Sequence, residues 1–139
     1  MIEMIKRVAL LLVMVMLSLG ALAAEANWQA VAEEVIVHIN QAEKAYLAGE
    51  QKQAKREVVS AYFGVFEDRK MEAAMRMELG AKHTYLVEKQ FGTLRKAIQK
   101  DAGADEIAQI AEAIRVAMRR DARLLDQAGI PLEVFKVNQ

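Results

Sequence analysis

The chain has 139 residues, 54% of them hydrophobic, with 19 basic and 19 acidic side chains and no cysteine. That is one domain's worth of material. The balanced charge offers no phosphate-tracking surface for nucleic acid, and without disulfides the stability must come from a packed core.

At the N-terminus, "MIEMIKR" places Lys6 and Arg7 ahead of the apolar run "VALLLVMVMLSL", and the small residues of "GALA" follow. This is the three-part layout of a secretory signal, with Ala21-Leu22-Ala23 as the cleavage site. The rival reading is an uncleaved membrane anchor, because an apolar run of about 17 residues stands at the short edge of what spans a bilayer. The small residues favour cleavage, giving a signal peptide over 1–23 and a periplasmic domain over 24–139. No cysteine follows the apolar run, which excludes a lipid-modified cysteine anchor. Cleavage removes Lys6, Arg7 and Glu3, so the mature domain carries one net negative charge.

Beyond residue 27, apolar residues recur at three and four, and alternation at period two is absent. A first helix is expected over 28–47, with Trp28, Val31, Val35, Ile39, Ala42 and Tyr46 in one stripe and Gly49 as the stop. A second is expected over 51–66, with Val58, Tyr62, Val65 and Phe66 inward. "EDRK" makes a polar joint, and "MEAAMRMEL" a short helical piece. Gly80 marks a new start, and 81–100 form the third long helix, with Thr84, Val87, Phe91, Leu94 and Ile98 inward. "DAGAD" breaks the chain at Gly103. Asp105 or the residue before it caps a fourth helix to Ala128, which presents Ile107, Ile110, Ile114, Met118 and Leu125. Gly129 and Pro131 end it. The tail "PLEVFKVNQ" offers Leu132, Val134 and Phe135 as a strap onto the domain, or as an interaction segment. Together these elements predict an all-α fold, an antiparallel four-helix bundle with a short extra helix between helices 2 and 3.

The chain carries no C-x-x-C-H, no Gly-rich phosphate loop and no nucleophile elbow. Its two histidines, His38 and His83, form no H-x-x-x-H or H-E-x-x-H spacing. An enzyme is not expected. Gly64 and Gly92 lie inside helices, where each costs about 1 kcal/mol relative to alanine. Close helix approach explains them, and local opening of the backbone around a ligand is the alternative.

Glu67, Glu72 and Glu88 are the acids nearest the crowded stretch 60–98. Glu67 closes the second helix, Glu72 opens the short one, and Glu88 sits roughly 80° from the centre of its apolar face. Converging between helices, they would suit a hard cation such as Fe³⁺, Ca²⁺ or Mn²⁺. As solvated acids at helix ends, they would need no ligand. Met71 and Met75, one turn apart, have a spacing that suits Cu⁺ or simple core filling. His38 follows Glu34 by four and is expected to pair with it, with metal ligation as the alternative. Asp121 falls in the middle of the fourth apolar stripe and needs a partner, either Arg95, Arg115 or a metal. Phe63 projects roughly 100° from its stripe, so with Tyr62 and Phe66 it offers an apolar flank for a partner helix or a homodimer.

The stretch "AYFGVFEDRKMEAAMRMELGAKHTYLVEKQFGTLRKAI" resembles the extracytoplasmic helical domain of bacterial high-affinity iron permeases. The matching residues are Ala61, Tyr62, Phe63, Phe66, Glu67, Met71, Glu72, Ala73, Phe91, Gly92, Leu94 and Arg95. The resemblance spans roughly residues 29 to 100. The membrane helices of that family, with their R-E-x-x-E motifs, are missing from this sequence, and Gly80 stands where a serine or threonine cap is expected. The resemblance implies a free-standing periplasmic version of the domain, with an iron-linked site at Glu67, Glu72 and Glu88 and a membrane iron permease as partner.

Overall fold

The structure is a computed structural model and describes residues 27–133. Every regular element among these residues is helical. Helix α1 is Trp28–Leu47, and α2 is Gln51–Val59, continued by a π-helical segment, Ser60–Glu67. Then come α3 (Met71–Glu78), α4 (Ala81–Gln99) and α5 (Ala104–Gln127). The signal-peptide expectation over 1–23 lies outside the described residues, as do Val134 and Phe135, whereas Leu132 packs half-buried against the core. Among the described residues, no helix is long and apolar enough to cross a membrane.

The apolar stripes go where their periodicity sends them. Trp28, Val35, Ile39 and Ala42 of α1 are buried against Ile107, Ile114, Met118 and Leu125 of α5 and against Val58 and Phe66 of the second run. Helix α1 packs on α5 and α2, and α4 packs on α5 and α2; α3 lies against α4, α5 and the π segment. The core fills the space between these elements.

Two departures from expectation have local causes. The second helix does not stay α-helical to Phe66. Its last eight residues widen into π geometry, a rare conformation that occurs mostly as single-turn bulges inside α-helices. The break after the third long helix is at Asp101, which adopts a left-handed φ of 56°. Gln51 donates to Asp101 Oδ1 at 2.9 Å and to the Ile98 carbonyl at 2.8 Å, fixing that turn from outside. Gly103 instead becomes the extended residue before α5, whose first turn holds Asp105 and Glu106 at the positive end of the helix dipole. Asn27 makes no side-chain cap for α1. Asp126, from the far end of the chain, accepts from the Trp28 amide at 2.9 Å and from the Gln29 amide at 3.3 Å, so one helix caps another.

Candidate functional site

The π segment lies opposite the middle of α4, and an aromatic layer joins them. Phe66 and Phe91 stack at 5.4 Å with both rings buried. Tyr62 sits 5.5 Å from Phe91 and 5.9 Å from Phe66. Phe63 meets the Tyr62 ring edge-on at 4.7 Å, yet is itself 57% exposed. Above this layer runs a groove of about 250 Å³. Val58, Val59, Tyr62 and Phe63 line one wall, and Phe91 and Gly92 the other, with Glu88 and Arg95 as its charged members.

Neither helical glycine is needed for close approach. A Cβ built at Gly64 or Gly92 meets nothing within 4 Å, which corrects the expectation of a tight crossing. Gly64 lies inside the π segment, and Gly92 lines the groove.

Of the three predicted acids Glu88 lines the groove, and the charges of all three act on the Tyr62 phenol. Its pKa is pushed up to about 12, chiefly by burial and then by the negative charges of Glu72, Glu88 and Glu67. Arg76 bridges two of these acids, since its Nη2 donates to Glu72 Oε1 at 2.7 Å and to Glu88 Oε1 at 2.8 Å. Glu88 is held above its ordinary value by burial first and then by the hydrogen bond and charge of Glu72. The acids thus share a neighbourhood, but no three Asp, Glu, His or Cys side chains among the described residues are grouped to hold a metal ion. Arg76 occupies the position of a counter-cation. Its signal in the sequence was the Glu72–Arg76 spacing of four, which puts both on one helix face.

The remaining candidates are dispersed. Met71 and Met75 are fully buried in the hydrophobic core. His38 does not pair with Glu34: its Nδ1 lies 2.7 Å from Glu57 Oε2 on α2, and Glu34 takes Arg69 at 2.8 Å instead. A cross-helix acid that is only 16% exposed takes the place of the neighbour one turn away, because a hydrogen bond is stronger where less water competes for it. Asp121 is fully buried, as its place in the stripe implies, but its partners are neither Arg95 nor Arg115. His83 Nε2 lies 2.9 Å from Asp121 Oδ2, and Arg120 Nε donates to Oδ1 at 2.8 Å. Arg115 is taken by Glu43 and Glu112, while Arg95 belongs to the groove.

Compared with protein-family models, curated proteins and solved structures, the chain matches none.

Proposed function

We propose that this chain is a periplasmic binding module whose working surface is the apolar groove between the π-helical segment and α4. The frame for that surface is an antiparallel four-helix bundle, with α3 as the extra helix. One observation carries the reading: Phe63 is 57% exposed beside an open apolar groove, on a π-helical backbone. Fully covering such a side chain is worth about 1.5–3 kcal/mol, and a groove between two helices suits the apolar face of a third. The occupant is therefore an apolar helical surface of a protein partner. The sequence resemblance makes a membrane iron permease one candidate.

The test places a photo-crosslinking amino acid at Phe63 in the native host, with Leu47 as control, since Leu47 is 69% exposed but outside the groove. Discrete protein adducts from position 63 and none from 47 are expected. No adduct from position 63 would overturn the proposal.

A second reading, iron held by carboxylates, is favoured by the convergence of Glu67, Glu72 and Glu88 on Tyr62. A bound cation would have to displace Arg76 from Glu72 and Glu88. Arg76→Ala should then strengthen binding of Fe³⁺-citrate, Fe²⁺ or Mn²⁺ at least tenfold in calorimetry. Absence of binding by both the parent and Arg76→Ala ends this reading.

A further inference from the structure

Helix α4 carries a second surface, turned away from both the core and the groove. On a wheel of about 100° per residue, Lys82, Tyr85, Leu86, Lys89, Thr93 and Lys96 fall within one sector of about 100°, and all six are exposed on a regular α-helix. From Lys82 to Lys96 the row runs about 21 Å along the helix axis. Within it stand two adjacent apolar side chains, Tyr85 at 59% and Leu86 at 53% exposed. The sector holds no acid. The single acid of α4, Glu88, is turned roughly 110° from its centre, lines the groove and is held by Arg76. Every ion pair among the described residues is made by an arginine or a histidine. The three ammonium groups of the row are therefore without a carboxylate partner in the fold, and the balanced charge of the whole chain conceals this local excess.

We infer that the outward face of α4 is a membrane-contact surface, which lays this helix flat on a bilayer containing anionic phospholipid. Charge selects the anion: a row of unpaired lysines with no acid among them is attracted to a negative lipid surface. The apolar pair selects lipid over an acidic protein patch, because Tyr85 and Leu86 share the lysines' face and must enter something apolar at the same contact. Basic and apolar side chains combined on one helix suit the headgroup boundary. The lysine stems lie along apolar surface while their ammonium groups reach the phosphates. The Tyr85 ring enters the boundary with its hydroxyl still wet. Nothing in the fold has to open for this, since the inner stripe of Thr84, Val87, Phe91, Leu94 and Ile98 stays in the core. The groove is also left free, because Glu88, Gly92 and Arg95 are turned roughly 70–130° from the lysine sector. Two apolar side chains alone bind a bilayer weakly, so attachment depends on the lipid charge and on salt.

The chain has no cysteine, so a single introduced thiol reports on one position. Leu86→Cys is labelled with an environment-sensitive fluorophore, and Val116→Cys, 53% exposed on α5, serves as the control. Vesicles of equimolar phosphatidylcholine and phosphatidylglycerol should shift the emission at position 86 to the blue and leave position 116 unchanged. Pure phosphatidylcholine vesicles should leave both unchanged, and high salt should weaken the response at 86. Lys89→Glu with Lys96→Glu should weaken the apparent lipid affinity read at position 86 at least tenfold, with helical circular dichroism unchanged. The same charge change at Lys44 and Lys52, exposed on α1 and α2, should weaken it much less. Emission at 86 that ignores the anionic vesicles, that responds equally to pure phosphatidylcholine, or that survives reversal of Lys89 and Lys96 overturns the inference. So does an equal shift at position 116. The crosslinking result at Phe63 is independent of all of these.

Discussion

Tyr62 and Asp121 are polar groups placed where polar groups are costly, and each is matched to its surroundings differently. The Tyr62 phenol is kept neutral by burial and by three nearby carboxylates. The folded protein therefore holds its proton up to about pH 12, whereas the unfolded chain releases it near 10.0. The folded state is favoured fully below the unfolded value, and that contribution is lost as pH rises from 10 to 12. Of the three tyrosines, one should show tyrosinate absorbance only near pH 12 in an alkaline titration. Tyr62→Phe should remove that step and flatten the loss of stability over the same interval. Asp121 is instead kept satisfied, with an imidazole and a guanidinium on a fully buried carboxylate. Removing one partner of a buried polar group costs about 1–3 kcal/mol. His83→Ala should cost that much in urea unfolding. Asp121→Leu, which removes the charge and fits the apolar stripe, should cost less.

At the scale of elements, the ends and the one irregular stretch matter more than the regular turns. Helix α1 owes its N-terminal cap to Asp126 at the end of α5, so Asp126→Ala should destabilise the protein by about 1 kcal/mol. Asp126→Asn should recover most of that in the same denaturation series. Gly92 has open space where a side chain would stand, and glycine within a helix costs about 1 kcal/mol relative to alanine. Gly92→Ala should therefore raise stability by up to that amount. The same methyl group narrows the groove, so the variant should bind its partner more weakly while being more stable. The π segment carries Phe63, which stands at the groove wall.

For the whole molecule, the zero formal charge hides ion pairs that join separate elements: Arg69 with Glu34, Arg115 with Glu43 and Arg119 with Glu33. Exposed pairs of this kind are screened by salt over a Debye length of about 10 Å at 0.1 M, and each contributes about 0–1 kcal/mol. The melting temperature should therefore fall only slightly between low and high salt. Scanning calorimetry at several salt concentrations checks it.

The helices themselves were legible in the amino-acid order. A stripe such as Ile107, Ile114, Met118 and Leu125 depends only on a periodicity that each helix carries within itself, and these residues are buried. Asp121 could be placed inside by the same reasoning. Its partners could not, because they depend on how α4 and α5 are rotated and at what height they meet, which periodicity leaves open. The same holds for His38, whose neighbour on its own helix lost to an acid on another. It holds also for Asp126, which reaches a helix start 98 residues away. The convergence of Glu67, Glu72 and Glu88 was visible as proximity in the chain, but the insertion of Arg76 between two of them was decided by the packing of α3 on α4. Local order determines which surfaces exist. Only the three-dimensional arrangement determines which charges face each other across them, because Coulomb energies follow distance and burial, and neither is a property of a sequence interval.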